Sequence, residues 1–200
     1  MKSIAAAAAV QRGRRYLLSR LCALGLIVAG AAATTPSAAQ PADEATVLER
    51  RIKAAFVFKF AAFVEWPATA LPPGDAPIRI AVMGGEAVVQ DILEASGSSR
   101  TVEGRRVLAK QVEPGDTLEG VHILFVRDEA LGLVGGSVTD LKPDAMLIVT
   151  ETAGALSRGS VINFVLDEGK VRFDISLDSA ERRGLRLSSR LITVARAVIK

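Results

Sequence analysis

The sequence predicts an α/β domain of three layers, in which helices cover a mixed, largely parallel sheet, followed by a C-terminal β-hairpin and a final helix. Strand and helix patterns alternate through the centre of the chain in the order strand, helix, strand, strand, helix, strand, which is typical of a parallel sheet. Three of these strands are almost continuous apolar runs, as expected where both faces of a sheet are covered. The hairpin pattern that follows makes the sheet mixed.

The first predicted helix covers residues 45–65. Four apolar residues follow one another at helical spacing and form a single stripe: Ile52, Phe56, Phe60 and Phe63. Pro67 ends the helix, and a residue directly before a proline is driven toward an extended conformation. We therefore expect Trp66 to be extended and partly exposed at the end of this helix.

The middle of the chain supplies the alternating elements. They are predicted, in order, as the strand Ile78–Met83, a helix over residues 88–95, strands over 107–112 and 121–126, a helix over 129–141 and a strand over 145–150. Loops rich in proline or glycine separate them, and Gly84-Gly85 turns the chain after the first strand. The short crossovers agree with a largely parallel sheet.

A β-hairpin is predicted over residues 161–177. Apolar and polar residues alternate in its second arm, so one face meets a core and the other faces water. The first arm is apolar on both faces except for Asn163, so it should lie inside the sheet, with Asn163 tying it to a neighbouring loop. Residues 167–169 form the turn, where Gly169 is suited to a positive φ.

The chain is predicted to end in a helix. Ser188 or Ser189 can cap its N-terminus, because a serine hydroxyl accepts a hydrogen bond from a free backbone N–H. Leu191, Val194 and Val198 then lie on one apolar stripe.

The first 39 residues are predicted to be a secretory signal peptide that is removed. A basic start is followed by an uncharged run from residue 21 to 33 and by small residues before Gln40, so we expect cleavage near Ala39 and a periplasmic protein. The run is short for a membrane span, which needs about 20 residues, although a retained anchor is the alternative. Residues 40–46 form a short flexible lead-in and residues 47–200 a single domain.

Removal of this segment changes the charge of the protein. The chain has 25 basic and 22 acidic residues, of which five basic and no acidic ones precede residue 40, so the remainder carries a net charge of −2. This balance gives no reason to expect nucleic-acid binding. Cys22 leaves with the signal, so the remaining chain has no thiol and forms no disulfide.

Few residues could carry catalysis. His122 is the only histidine and opens a predicted strand, where a structural role is the better interpretation. No nucleophile elbow is present, and one histidine without a mature cysteine does not predict a metal site. Paired carboxylates stand at predicted helix starts and turns, where they act as solvated caps. We therefore predict a protein without catalytic, cofactor-binding or metal-binding residues.

Two groups of residues are candidates for a partner interface. Glu65 and Trp66 are candidates because they stand at an exposed helix end, and an exposed tryptophan is a common interface anchor. Arg182, Arg183 and Arg186 are candidates because of their charge, which could meet an acidic partner or anionic lipid headgroups. The simpler interpretation of the arginines is a solvated face that offsets nearby acidic residues.

Two blocks of sequence carry a resemblance to a known family. The first, from Lys53 to Pro67, is KAAFVFKFAAFVEWP; the second, from Gly159 to Leu191, contains G-x-x-I-N-F, F-D-I-S and G-L-x-L-S-S-x-L. Together they resemble the N-terminal helix and the C-terminal signature of the YfiR-like periplasmic proteins, and the resemblance runs from about residue 47 to 198. Asp174 and Ser176 depart from the family pattern, where glutamate and asparagine are expected.

The resemblance implies a function. YfiR-like proteins are periplasmic regulators that restrain an inner-membrane diguanylate cyclase by binding its periplasmic sensor region. The chain is therefore expected to be a repressor in cyclic-di-GMP signalling that affects biofilm formation and motility. Another membrane sensor protein, such as a sensor kinase, is an alternative partner, and homodimerisation agrees with family habit.

Other classes of function stay open at this point. The main alternative is a periplasmic small-molecule sensor or solute-binding protein, with its site at the carboxyl ends of the parallel strands near Gly84 or residues 150–154. Both functions hold together if a small-molecule ligand controls repression. A hydrolase that uses His122 is the least favoured class.

Overall fold

An eight-stranded mixed sheet runs through the part of the chain described by the computed structural model, residues 41–98 and 101–200. The predicted signal peptide over residues 1–39, with Cys22 and the cleavage point before Gln40, lies outside the described residues. The described residues belong to one unit, Ala39–Lys200. None of their helices is long and apolar enough to cross a membrane.

The strands are short, and those in the middle of the main sheet are the most deeply buried. In chain order they are β1 (Val64–Glu65), β2 (Ile78–Met83), β3 (Thr101–Val102), β4 (Arg105–Val112), β5 (Ile123–Val126), β6 (Leu147–Thr150), β7 (Ile162–Asp167), β8 (Lys170–Ser176), β9 (Arg186–Leu187) and β10 (Ala197–Ile199). The main sheet has the order β10-β8-β7-β6-β5-β2-β4-β3, and β1 pairs separately with β9. Only β7–β8 and β3–β4 are antiparallel pairs within the main sheet, so the described sheet is largely parallel.

The helices differ widely in length. They are α1 (Pro41–Phe60), α2 (Glu86–Ala95), α3 (Asp128–Leu131), α4 (Leu177–Arg182) and α5 (Ser189–Val194), with 3-10 turns at Gly132–Val134 and Ala155–Arg158. The side chain of Ser176 caps α4 and that of Ser188 caps α5, each by accepting a backbone N–H from the residue three positions later.

The sheet lies between two apolar layers, because successive side chains of a strand point to opposite faces. Ile80 and Val82 of β2 pack in the layer of α1 and α2, whereas Ala81 and Met83 pack in the layer of α3 and its adjoining loops. All four side chains are buried, which explains why the strand is apolar except for the exposed Arg79 near its start. The predicted three-layer α/β fold with a mixed, largely parallel sheet is confirmed.

The hairpin is also confirmed. β7 and β8 pair antiparallel up to Asp167 and Lys170, so the loop is Glu168-Gly169. Both loop residues have positive φ, 49° and 74°, as the commonest two-residue hairpin turn requires. Gly169 therefore stands where its freedom at positive φ was predicted to be needed.

The prediction for the first helix is wrong at its C-terminal end. α1 stops at Phe60, and the next turn tightens so that the Phe63 N–H donates to the Phe60 carbonyl oxygen at 2.9 Å. Val64–Glu65 then becomes β1 by pairing with β9. Its partner strand is remote in sequence, so local periodicity could not reveal this pairing. At the other end α1 starts at Pro41, within the predicted lead-in.

Two further helix predictions need correction. The helix predicted over residues 129–141 is only α3 and one 3-10 turn, because Gly135 and Gly136 both adopt left-handed φ, 74° and 73°. The final helix stops at Val194, since the chain extends at Ala195 and β10 joins the edge of the sheet beside β8. Val198 therefore lies in a strand and not on a helical stripe with Leu191.

Candidate functional site

Phenylalanine rings from α1 and the hairpin pack into one cluster. Phe56 and Phe60 stand four residues apart on α1, so they share a face of the helix. The Phe60 ring centroid lies 5.2 Å from that of Phe173 and 5.9 Å from that of Phe164, and Phe56 lies 5.6 Å from Phe173. Such ring pairs contribute about 0.5–1.5 kcal/mol each beyond area burial, so they fasten α1 to the hairpin.

An open groove of about 220 Å³ lies beside this cluster. We call it the aromatic groove, and its lining residues come from α1 and its last turn, from β8 and from α5: Phe56, Lys59, Phe60, Phe63, Phe173, Arg190, Leu191 and Val194. Six of these residues are apolar, and the two basic ones are exposed. The groove thus combines an apolar interior with a positively charged rim.

The local structure of each element explains how the groove is assembled. On α1, Lys59 stands three residues after Phe56 and so on the same side of the helix, and Phe63 follows in the tightened turn after α1. On α5, the Ser188 side chain accepts the Leu191 N–H at 3.3 Å, which starts the helix so that Leu191 is buried. Val194, one turn later, is 62% exposed, so most of this apolar side chain is in contact with water. An apolar surface with two cations at its border fits a partner that is apolar and acidic.

The structure brings two predicted interface candidates together. Glu65 of β1 is the antiparallel partner of Arg186 of β9, and both side chains are exposed. Opposite charges directly across an antiparallel pair are favourable. This small sheet continues from Phe63 of the aromatic groove, because the Ser188 N–H donates to the Phe63 carbonyl oxygen at 2.9 Å.

Trp66 lies next to this pair but is only partly exposed. Its indole N–H donates to the His122 carbonyl oxygen at 3.3 Å, and its ring meets the His122 imidazole edge-on with centroids 6.0 Å apart. Trp66 therefore has a structural contact in addition to its predicted interface role.

Arg182 and Arg183 are neighbours with different environments. The Arg182 side chain is exposed and donates to the Ser179 hydroxyl at 2.9 Å. The Arg183 guanidinium is buried and donates to backbone carbonyl oxygens of residues 138–144, the shortest bond reaching Val138 at 2.7 Å. Arg183 thus holds this loop in place and presents little charge to a partner.

Side chains of the protein itself fill the carboxyl ends of the parallel strands, where the alternative ligand site was predicted. The Arg127 guanidinium donates to the Gly84 carbonyl oxygen at 3.0 Å and to Glu151 at 3.1 Å. A Cβ on Gly84 would meet the Arg127 Cβ at 2.9 Å, which is closer than two such atoms normally approach. Arg127 therefore occupies the crevice between β2 and β5 that parallel α/β sheets commonly offer to a ligand.

Glu151 also binds the first helix. Lys53 of α1 lies 2.7 Å from one Glu151 carboxylate oxygen and 2.5 Å from Glu49. Burial opposes the positive charge on Lys53, but the hydrogen bonds with Glu151 and Glu49 outweigh it and raise the lysine pKa above its ordinary value. These ion pairs anchor α1 across the end of the sheet.

Asn163 has the structural role expected from the sequence, with a different partner. The Thr150 hydroxyl donates to the Asn163 Oδ1 at 2.6 Å, and both residues are buried. Thr150 ends β6, so Asn163 joins β7 to the neighbouring strand and not to a loop. The same threonine lies 2.8 Å from the Ser160 hydroxyl, which leaves this part of the predicted ligand site occupied by internal hydrogen bonds.

The described residues show no assembled chemical centre. Within residues 41–98 and 101–200, no group of three or more His, Cys, Asp or Glu side chains is placed to hold a metal ion. The carboxylates of Asp128 and Glu129 accept bonds from Thr152 and Arg127. His122 is buried and hydrogen-bonded to the backbone at both ring nitrogens.

Sequence reasoning missed the aromatic groove as a site. It found the stripe on α1 but did not join these residues to Lys59 and Arg190 as one surface. The feature of the sequence that could have indicated the groove is Lys59, a charged residue beside the apolar stripe of the first helix. The groove itself depends on the approach of α5, which only the folded chain shows.

Comparison with known proteins assigns the chain to a family. A family model described as YfiR/HmsC-like matches residues 50–196. No curated protein matches the chain. A solved structure of a conserved domain protein from Vibrio cholerae O1 biovar El Tor is 12% identical, covers 66% of this chain and 57% of that chain, and has a TM-score of 0.39. The match therefore spans less than two thirds of that protein's length.

Proposed function

The chain belongs to the YfiR/HmsC-like family, which is known for periplasmic regulation, and on this premise we propose that it is a non-catalytic periplasmic repressor of an inner-membrane diguanylate cyclase. The repressor binds the periplasmic sensor region of the cyclase and keeps the cytoplasmic enzyme inactive. Its release raises cyclic-di-GMP and so favours biofilm formation.

The observation that carries this proposal is the aromatic groove. Its phenylalanine floor, the exposed Val194 and the cations Lys59 and Arg190 form an apolar patch with a charged border. Protein interfaces have this organisation, in which a few apolar anchors are buried and polar groups surround them. The partner segment is accordingly apolar at its centre and acidic at its edge.

Repression requires that the groove distinguish two states of the cyclase. A regulator with equal affinity for the active and inactive conformations shifts neither population. Moving the cyclase from 1% to 99% inactive requires about 5.5 kcal/mol of preference for the inactive form. Loss of one apolar hot-spot contact costs about 2 kcal/mol or more, so a single change in the groove is expected to weaken repression measurably.

A genetic experiment tests this proposal. Deletion of the gene is expected to raise cellular cyclic-di-GMP, and the wild-type gene restores the basal level. A gene that carries Val194→Asp is not expected to restore the basal level of cyclic-di-GMP, because the substitution places a carboxylate in an apolar contact. Leu133→Asp is the matched control, since Leu133 is 69% exposed on the 3-10 turn after α3 and outside the groove. Unchanged cyclic-di-GMP after deletion contradicts the proposal.

Crosslinking identifies the partner directly. The protein is crosslinked in its own envelope and recovered, and the captured proteins are identified by mass spectrometry. We expect a membrane protein with a periplasmic sensor and a cyclase domain, captured by wild type and the Leu133→Asp variant and lost with Val194→Asp. Capture of a sensor kinase instead identifies a different class of partner and contradicts the cyclase assignment.

The small-molecule alternative receives less support. The crevice at Gly84 is filled by Arg127, and Thr150 is engaged by Asn163. The aromatic groove, at about 220 Å³, is smaller than the roughly 300–1,000 Å³ typical of small-molecule sites. These observations favour a protein partner over a solute.

A further inference from the structure

One side of the main sheet leaves most of a strand without a neighbour. β4 pairs with β2 over residues 107–112, but on its other side β3 pairs only with Arg105 and Arg106. None of the described loop and turn hydrogen bonds involves residues 107–112. We call the outer side of these residues the β4 edge. Because N–H and C=O groups alternate in direction along a strand, half of those in the β4 edge point away from β2, where no described strand pairs with them.

The two faces of β4 have different surroundings. Val107 and Ala109 pack in the layer of α1 and α2. Arg106, Leu108 and Lys110 alternate with them and therefore point to the other face, where all three residues are exposed. Leu108 is 45% exposed, although it stands in a strand of the main sheet. The layer of α3 and its loops therefore leaves this side of the sheet uncovered.

A groove of about 260 Å³ lies beside these exposed residues. Its lining includes Leu108 and Lys110 of β4, Arg79 of β2 and Glu119 from the loop before β5. Arg79, Arg106 and Lys110 take part in none of the ion pairs of the described residues. The uncovered face thus carries three cations around one leucine, and the only carboxylate in the lining of the groove is that of Glu119.

We propose that the β4 edge is a second docking site, which takes an extended acidic segment of a partner protein as an additional strand. In strand addition the main chain provides the hydrogen bonds, and alternate side chains provide the selectivity. The side chains opposite Arg106 and Lys110 are then carboxylates, and the one opposite Leu108 is apolar. The segment therefore has the pattern acidic-x-apolar-x-acidic, which is the same in both strand directions.

The charges of β4 disfavour a second copy of this chain as the occupant. A twofold axis that continues the sheet through an antiparallel pair keeps the same face of both copies on one side. In the register centred on Leu108, each Arg106 then lies opposite the Lys110 of the second copy. Like charges directly opposite each other destabilise such a pair. Charge complementarity therefore favours an acidic strand over self-pairing.

The β4 edge is separate from the aromatic groove. In the strand order, β4 lies beside β2 toward one side of the main sheet, whereas β8, which contributes Phe173 to the groove, lies beside β10 at the other. The strands β7, β6, β5 and β2 lie between them. An acidic segment can therefore dock at the β4 edge while the groove is occupied, and this site does not rest on the proposed function.

A model peptide tests the docking mode. The protein beginning at residue 40, which contains every described residue, is labelled for NMR and titrated with the peptide TETVTET, which has the proposed pattern. The peptide TKTVTKT is the charge control. We expect TETVTET alone to slow hydrogen exchange at alternate backbone amides within residues 107–112, because the outward N–H groups gain partners. Absence of this protection, or equal protection by both peptides, overturns the proposal.

N-methylated peptides separate strand addition from simple charge attraction. Two versions of TETVTET carry N-methyl groups on alternate residues, at the odd positions in one and at the even positions in the other. Each version lacks one of the two rows of N–H donors, and only one row of a strand faces its neighbour. We expect one version to lose binding and the other to keep it. Equal affinities of the two versions, high or low, refute strand addition.

Charge reversal in the protein tests the selectivity. The double variant Arg106→Glu and Lys110→Glu is expected to bind TETVTET about tenfold more weakly and to bind TKTVTKT instead, because both cross-strand charge pairs change sign. Both residues are exposed, so the substitutions leave the core intact. Lys170→Glu, at an exposed position of β8, is the matched control and is expected to bind both peptides as wild type does. Unchanged binding of TETVTET by the double variant contradicts the proposal.

The free protein decides between the acidic segment and a second copy. We expect the outward amides of residues 107–112 to exchange rapidly before any peptide is added, because no described strand protects them. Sedimentation in the same buffer measures the oligomeric state. A dimer in which these amides are already protected shows that a second copy occupies the β4 edge, and this result refutes the proposal.

Discussion

At the scale of single residues, buried charges are organised around Glu151. Its carboxylate lies between Lys53 of α1 at 2.7 Å and Arg127 after β5 at 3.1 Å, and its side chain is 8% exposed. A buried ion pair adds little stability over an apolar replacement, but removing one partner leaves a buried charge uncompensated. Glu151 is therefore the residue whose loss the protein tolerates least at this end of the sheet.

Glu151→Gln is expected to lower the free energy of unfolding by about 3 kcal/mol, the lower part of the range for breaking a buried pair, because Glu49 and Glu129 remain near the two cations. Urea unfolding at pH 7 measures this change. The control is Glu129→Gln, which removes a carboxylate 55% exposed beside the same arginine. It should cost less than about 1 kcal/mol, and equal costs for the two variants would contradict the role of burial.

At the scale of elements, glycines decide where helices stop and how loops pack. Gly159 follows the 3-10 turn Ala155–Arg158 with φ 97°, and an added Cβ would lie 2.6 Å from the Thr139 Cα. Gly169 in the hairpin has φ 74° but no atom near the position of a Cβ within 4 Å. The first glycine is required by both conformation and space, and the second by conformation alone.

Alanine substitutions at these two glycines separate the effects. Gly169→Ala is expected to cost about 1–2 kcal/mol, the penalty of a left-handed residue that carries a Cβ. Gly159→Ala is expected to cost about 2 kcal/mol more, because the methyl group meets the backbone of Thr139. Thermal unfolding of both variants tests the order, and a Gly159→Ala protein as stable as Gly169→Ala would show that the loop at Thr139 yields freely.

At the scale of the whole molecule, two apolar layers form the interior, and the aromatic groove lies on the surface at the border of one of them. The interior joins α1, α2 and the sheet through one apolar layer and α3 with its loops through another. The aromatic groove lies where α1, the hairpin and α5 meet at the border of the first layer. Because α1 is distant in sequence from β8 and α5, the groove depends on how these elements pack, and a change in the packing of α1 or α5 alters the proposed partner surface.

The stability of the whole protein should depend on pH through His122. Its pKa is lowered in the folded state, so the unfolded chain takes up the proton first as the pH falls below 6.5. The stability that neutral His122 contributes is complete above this pH and is lost progressively toward the lowered folded pKa. Urea unfolding between pH 7.5 and 5 should show this loss in wild type, and the part due to His122 should be missing from His122→Gln.

Much of the fold follows from local patterns. The strand Ile78–Met83, the hairpin with Gly169 in its turn and the Ser188 cap were predictable because each depends on neighbouring residues. The ends of α1 and α5 were not, because β1 and β10 exist only by pairing with distant strands. Periodicity alone would have continued both helices.

The candidate site was predictable only in parts. The sequence indicated Glu65, Trp66 and the arginines from charge and position, and the structure pairs Glu65 with Arg186 while burying Arg183. The interface roles of these residues stay predictions. Lys59 and Arg190 belong to different helices far apart in the chain, so no local pattern could place them at the rim of one groove.

By itself, the sequence determined the class of the fold, the order of its central elements and the resemblance to the family. These properties follow from side-chain periodicity, turn chemistry and short motifs, which act between residues close in the chain. Only the tertiary structure decided that Arg127 closes the crevice at Gly84, that the His122 ring contacts the Ala70 carbonyl oxygen, and that α5 completes the aromatic groove. Each of these results depends on contacts between distant residues, whose geometry exists only after the chain has packed around its sheet.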